Sequence, residues 1–153
     1  MGVTGCGKST VGAALAGRLG ARFADADEFH SAANVAKMSV GVPLDDADRW
    51  PWLRAIGEWL ADGGVVSCSA LRRAYRDALR ERAADAFFVH LDGDRETVRR
   101  RVAGRAEHFM PASLVDSQFA ALEALGADER GVTLDLSAPV DDLVAAAARS
   151  IPD

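Results

Sequence analysis

Gly2-Val3-Thr4-Gly5-Cys6-Gly7-Lys8-Ser9-Thr10 satisfies G-x-x-x-x-G-K-[ST] at every fixed position. Glycines let a backbone curl until successive N–H groups point at one anion. A helix starting at such a loop adds the positive end of its dipole to the same place. Lys8 is long enough to reach the β- and γ-phosphates of a nucleotide, and the Ser9 hydroxyl can ligate Mg²⁺. The expected nucleotide-binding residues are therefore Gly2, Thr4, Gly5, Cys6, Gly7, Lys8, Ser9 and Thr10. The motif specifies a nucleoside triphosphate and leaves the phosphate acceptor open.

Outward from the loop, the apolar spacing alternates between strand and helix. Residues 9–19 read as a helix, with Val11, Leu15 and Leu19 on one face and Gly20 as its stop. A short strand over 22–24 runs into Asp25-Ala26-Asp27. Residues 47–61 read as a helix with Trp52, Ile56, Trp59 and Leu60 inward and Pro51 in its first turn. After Gly63-Gly64 come a strand over 65–68, a basic helix over 71–83 and a strand over 87–91. Helices over 95–103 and 113–125, a strand over 132–136 and a closing helix over 139–151 complete the chain. This alternation predicts an α/β fold: a parallel sheet with helices on both faces. Ligands then gather at the carboxyl ends of the strands, which brings the loop, Asp25/Asp27 and Cys68-Ser69 onto one rim.

A loop of this kind normally follows a buried strand of about five or six residues. Here only Met1 precedes Gly2. The expectation is that roughly five to eight apolar residues stand before Met1 as the first strand, with Met1 internal to it.

The 153 residues suit one domain, and a 49% hydrophobic, 27% charged composition is that of a globular protein. A net charge of −5 argues against a nucleic-acid partner, so an anionic ligand must be held by local cations. No apolar run is long enough to span a bilayer, and no membrane partner is expected. Cys6 and Cys68 form no metal-binding cluster, and the expectation is a reduced, cytoplasmic protein without a signal peptide.

Asp25 and Asp27 stand two apart at a strand end, so both side chains point the same way. One carboxylate can orient Mg²⁺ or accept a hydroxyl proton; the other can hold substrate hydroxyls. Asp92 and Asp135, each at the end of an apolar strand, are the rival metal carboxylates. His30 can donate to a polar substrate. Arg49 at a helix start can clamp a carboxylate with its guanidinium fork. Among the crowded Arg72, Arg73, Arg76, Arg80 and Arg82, Arg72 or Arg73 lies nearest the strand end. Arg99, Arg100, Arg101 and Arg105 precede Glu107-His108-Phe109-Met110-Pro111, a composition suited to a lid over phosphates at about 104–112.

Several of these segments together resemble the gluconokinase family. They are the loop itself, Asp25-Ala26-Asp27-Glu28-Phe29-His30, Ala33-Asn34-Val35-Ala36-Lys37-Met38 and Gly41-Val42-Pro43-Leu44-Asp45-Asp46-Ala47-Asp48-Arg49-Trp50-Pro51-Trp52-Leu53. Ser67-Cys68-Ser69-Ala70-Leu71-Arg72-Arg73, His108-Phe109-Met110-Pro111 and Ser117-Gln118-Phe119-Ala120-Ala121-Leu122-Glu123 belong to the same set. The resemblance covers residues 1–136. It implies a fold like that of nucleoside monophosphate and shikimate kinases, with a lid, and usually a homodimer. It implies transfer of the γ-phosphate of ATP to the 6-hydroxyl of D-gluconate. Lys8 and Ser9 would hold phosphate and Mg²⁺, and Asp25 would serve metal or base. Asp27, His30, Arg49, Arg73 and His108 would contact gluconate, and Arg101 or Arg105 would act from the lid. The chain departs from the family in Ala26, where Gly is usual, and in Ala124, where Pro is common. The alternatives are a shikimate- or nucleotide-type kinase and a non-catalytic nucleotide-binding module.

Overall fold

The computed structural model describes residues 1–104 and 112–152. α1 (Lys8–Leu19) grows directly out of the glycine-rich loop and stops at Gly20, which takes φ 64°. β1 (Phe23–Asp25) leads into a 3₁₀ turn, Ala26–Phe29. α2 (Ala32–Ser39) and α3 (Asp46–Ala61) follow, then β2 (Val65–Ser67) and α4 (Arg73–Arg80). β3 (Phe88–Asp92), α5 (Arg95–Ala103), α6 (Ala112–Ala121), β4 (Gly131–Asp135) and α7 (Val140–Ser150) complete the order.

All strand pairing is parallel, as the alternation of elements requires. β1 pairs with β2, setting Asp25 opposite Ser67, and β3 pairs with β4, setting Asp92 opposite Asp135. Helices cover both sides. One apolar cluster joins Val11 and Leu15 of α1, Val98 and Val102 of α5 and Leu143 and Val144 of α7 to Leu91. The other joins Leu53 and Ile56 of α3 to Tyr75 and Leu79 of α4 and to Phe88.

Among the described residues the parallel strands form two pairs, with Met1 between them. Met1 N donates to Val89 O, Leu91 N donates to Met1 O at 3.0 Å, and Gly2 N donates to Ser69 O at 3.1 Å.

Four local differences from the sequence reading have physical causes. α2 was not expected. It starts on a Ser31 cap that accepts from Asn34 N at 3.2 Å, and it buries only Asn34, so it carries no inward apolar stripe to read. α3 begins at Asp46 on a capping box of Asp45 and Asp48, which puts Pro51 in the second turn rather than the first. α4 is shorter than 71–83 because Ala70 and Leu71 turn back instead: both carbonyls accept from Arg76 Nη1, at 3.1 and 3.3 Å. α6 ends before 125 because Glu123 N is drawn onto Leu71 O at 2.8 Å.

Candidate active site

The loop has the geometry that its sequence promises. Gly2, Gly5 and Gly7 all take positive φ, at 136°, 78° and 99°. At Gly5 a Cβ would also lie 2.5 Å from Val102 Cγ2, so both backbone and space demand glycine. α1 has no side-chain cap and no acidic residue in its first turn. Its N-terminal N–H groups and dipole are thus directed at the loop's concavity, the arrangement that binds phosphate. Lys8 Nζ lies back across the loop, donating to Val3 O at 2.9 Å. Cys6 is buried against the loop's underside, and Thr10 is exposed on α1. Thr4 N donates to Gln118 Oε1 at 2.6 Å, which ties α6 to the loop.

β1 delivers Asp25 to the loop. Ser9 Oγ donates to Asp25 Oδ2 at 2.8 Å and lies 3.1 Å from Ser67 Oγ at the end of β2. The other Asp25 oxygen accepts from Asp27 N at 3.1 Å, capping the 3₁₀ turn, while Glu28 Oε1 accepts from Asp25 N at 2.8 Å. Asp25 is therefore fixed by its own turn and aimed at Ser9. Hydroxyl and carboxylate oxygens so placed are a donor set that fits Mg²⁺ completed by phosphate oxygens. The rivals are differently engaged: Asp135 accepts from Ser137 N at 2.8 Å, and Asp92 Oδ1 lies 4.0 Å from His90 Nε2.

The same 3₁₀ turn positions the polar wall. The Asp27 side chain is 89% exposed, with Oδ1 3.8 Å from His30 Nε2. His30 stacks on Trp52 with centroids 4.7 Å apart and planes at 9°, and Trp52 Nε1 donates to Ala26 O at 2.8 Å. Burial lowers the His30 pKa, which outweighs the opposing pull of Asp27. His30 Nδ1 is buried without a hydrogen-bond partner among the described residues. The result is a neutral imidazole, ready for a hydrogen bond with a polar ligand.

Arg49 sits one helical turn before Trp52 on α3. Its Nη1 donates to Asp46 Oδ1 at 3.1 Å and to Tyr75 Oη at 3.4 Å. Arg72 flanks the other side, 5.7 Å from the Tyr75 ring and 3.9 Å from Asp46. The Tyr75 hydroxyl, donating to Asp46 at 2.7 Å, holds that carboxyl below its ordinary range. Arg73 is turned elsewhere: its guanidinium grips Asp128 at 2.7 and 2.8 Å. Asp128 falls to a pKa of about 2 on that account. Arg101 Nη2 donates to Leu136 O at 2.9 Å. Arg105 and His108, with the rest of the lid motif through Pro111, lie outside the described residues.

Ser67 and Gln118 are the polar groups at the loop to which the sequence reading gave no role. Ser67 is one hydroxyl at the end of an apolar run, and only the β1–β2 register sets it beside Asp25. Gln118 lies in a segment quoted for the resemblance, but its contact spans 114 residues. Cys68 is buried, and burial pushes its thiol up to about 11.

A phosphate loop, an aspartate on its serine and a polar wall on a parallel α/β frame define a P-loop small-molecule kinase. Residues 4–145 match the model of the shikimate kinase family. The gluconokinase of Gluconobacter oxydans is 49% identical over 84% of this chain and 76% of its own length. The thermosensitive gluconokinase of Escherichia coli is 44% identical over 86% of this chain and 74% of its own. The crystal structure of a gluconokinase from Sinorhizobium meliloti superposes with a TM-score of 0.88 at 46% identity, covering 99% of this chain and 88% of that one. That of a sugar kinase from Janibacter superposes at 0.87 and 50% identity, covering 97% and 90%. The chain belongs to the gluconokinase family, within the shikimate-kinase-like P-loop kinases.

Proposed function

We propose that the protein transfers the γ-phosphate of ATP to the 6-hydroxyl of D-gluconate, giving 6-phosphogluconate and ADP. The observation that carries the reading is the Ser9–Asp25 contact at the uncapped start of α1, because it joins the phosphate site to a carboxylate that can meet an acceptor hydroxyl. Family membership supplies the acceptor.

Phosphoryl transfer asks little covalent chemistry of a protein, so positioning and charge stabilisation dominate. The loop amides from Thr4 to Ser9 cradle the phosphates, and Lys8 swings from Val3 O onto the transferring group. Ser9 and Asp25 would hold Mg²⁺, which when bound would offset the negative charge of the phosphates. Asp25 also accepts the proton of the attacking hydroxyl. Asp27 and His30 bind the sugar-acid hydroxyls, and Arg49 takes the carboxylate. Arg73 joins them only by leaving Asp128. Arg101 or Arg105 would act from the lid, and His108 would contact gluconate.

Two coarser properties belong to the same reading. Two free cysteines suit a reducing, cytoplasmic compartment. A homodimer would cover apolar residues left exposed around α2, among them Val35, Met38, Val40 and Val42.

The test is a coupled assay of ADP release from Mg-ATP, with gluconate, shikimate or AMP as acceptor. Turnover with gluconate and little with the others is expected. Equal turnover of shikimate and gluconate would sink the assignment.

A further inference from the structure

The phosphate loop is seated against two helices. At Gly5 the backbone lies so close to α5 that a Cβ would meet Val102 Cγ2 at 2.5 Å and Val98 Cγ1 at 3.7 Å. At Thr4 the backbone N–H donates to Gln118 Oε1 of α6 at 2.6 Å, across 114 residues of sequence. The two helices form one support. Arg99 Nη2 of α5 donates to both Asp116 oxygens of α6 at 2.6 Å, and Val98 and Val115, each fully buried, share one apolar cluster. The chain leaving α6 is moored in turn, since Glu123 N donates to Leu71 O at 2.8 Å. Gln118 therefore reaches the loop from a fixed base.

Its partner is a particular peptide. A trans peptide is a rigid plate with its C=O on one edge and its N–H on the other. In the plate between Val3 and Thr4, the oxygen belongs to Val3 and the hydrogen to Thr4. Val3 O accepts from Lys8 Nζ at 2.9 Å and from Cys6 N at 3.3 Å. The Thr4 N–H goes to Gln118. Lys8 and Gln118 thus hold opposite edges of one plate. To reach a phosphate, Lys8 must leave Val3 O. Gln118 and Cys6 N still hold the plate when it does. A plate free to turn would displace Gly5 and the amides after it, and would bring a carbonyl oxygen toward the anion that those amides attract.

We propose that Gln118 is a positioning residue for phosphoryl transfer: its amide oxygen fixes the Val3–Thr4 peptide of the phosphate loop while Lys8 moves onto the transferring group. The residue type suits the task. A side-chain amide supplies the oxygen that a backbone N–H needs, and it adds no negative charge beside a triphosphate. A carboxylate would supply the acceptor and the repulsion together. The inference rests on the proposed phosphoryl transfer, and not on gluconate as its acceptor.

The experiment compares the parent with Gln118→Met, which keeps the length and loses the acceptor, and with Gln118→Glu, which keeps an acceptor and adds a charge. Thermal melts, exchange of the Thr4 amide and steady-state kinetics in ATP and gluconate are measured on each. In Gln118→Met, kcat should fall at least about tenfold, because a displacement of about 1 Å at a reacting group can cost about 10². The gluconate KM should stay within about threefold of the parent, and Tm within about 4 °C. The Thr4 amide should exchange at least about tenfold faster. Gln118→Glu should restore slow exchange and most of kcat at saturating ATP, with a raised KM for ATP. A parent-like kcat in Gln118→Met overturns the proposal. So does a kcat in Gln118→Glu no better than in Gln118→Met. A fall in Tm of more than about 10 °C in both variants also overturns it, because Gln118 would then serve only to hold α6 in place. A parent that phosphorylates shikimate or AMP in place of gluconate would defeat the substrate assignment alone. The ratio of Gln118→Met to parent, read with that acceptor, then decides the role of Gln118 on the same terms.

Discussion

The Ser9 hydroxyl donates to Asp25 Oδ2 at 2.8 Å, across 16 residues of sequence. Two motifs that are separate in the chain are thereby one group in space. Asp27, by contrast, is 89% exposed beside His30. The two aspartates should separate kinetically. Asp25→Asn keeps the size but loses the charge, so kcat should fall by about 10² or more with a modest change in the gluconate KM. Asp27→Ala should raise the gluconate KM and leave kcat nearer to normal. Steady-state kinetics on both variants check this. The reverse pattern exchanges the roles, and silence from both moves the carboxylate function to Asp92 or Asp135.

Lys8→Ala should remove turnover without unfolding the protein. Among the described residues the Lys8 ammonium bonds to the loop's own Val3 carbonyl and lies outside both apolar clusters. Loss of one such charge-stabilising group typically costs about 10²–10³ in rate. The melt should be near that of the parent. Near-normal kcat at saturating ATP would mean that the loop does not bind phosphate as drawn.

How much of this was legible in the sequence differs by residue. The loop was legible because its requirements are local: the positive φ of Gly2, Gly5 and Gly7 can be read from residue type alone. Asp25 was legible as the end of a strand, although β1 is only three residues long. Arg76 was not, because the sequence offers five arginines on one segment and no sign of which is buried. Its partner Glu129 is 53 residues away and reaches it only through tertiary folding. Arg73 reads as a candidate substrate contact from its place after β2, and its hold on Asp128, 55 residues on, is not visible in the sequence. Side-chain partners across a fold are set by packing, which periodicity does not encode.

For the 153-residue chain with a free amine at Met1, stability should fall as pH is lowered from about 8 toward 6. The Met1 ammonium has an ordinary pKa of 8.0 and is depressed by burial to about 6, with nearby Lys8 and Arg76 adding to that and Cys6 and Cys68 opposing it. The unfolded chain therefore binds the proton more tightly in this window, and protonation favours unfolding. The contribution is fully present above pH 8 and is lost as pH falls through 6; two units correspond to on the order of 2 kcal/mol. His30 and His90 are also depressed by burial and add the same sign below about 6.5. Denaturant melts from pH 8.5 to 5.5 check it, with Nα-acetylated protein as control. Acetylation should flatten the upper part of the curve, from 8 to 6.5, and leave the histidine part. An unchanged slope after acetylation would remove Met1 as the cause.

Arg76 and Glu129 set the largest single stability expectation. Both side chains are 0% exposed and meet at 2.7 and 2.8 Å through Nε and Nη2. The guanidinium also donates to the carbonyls of Ala70, Leu71, Glu123 and Ala124, so it ties the turn before α4 to the chain leaving α6. Glu129 in turn accepts from Gly126 N and from Arg80. Arg76→Met leaves a buried carboxylate with less compensation and four carbonyls short of a donor. Breaking one partner of such a pair costs about 3–5 kcal/mol. Glu129→Leu leaves the cation uncompensated and should cost a similar amount. The informative protein is the double variant. Were the pair an isolated ion pair, replacing both members with apolar residues would recover most of the loss. Here the stranded carbonyls remain, each costing about 1–3 kcal/mol if no water reaches it. We expect the double variant to stay at least about 2 kcal/mol below the parent, and Arg76→Lys to recover little because a single ammonium cannot span the same acceptors. Urea melts above pH 6 measure this, well clear of the Glu129 titration. That carboxyl is held near 2 by the Arg76 guanidinium, so its contribution is complete above about 4.5 and lost only as pH falls toward 2. Full recovery in the double variant would show that the carbonyl bonds add nothing to the pair.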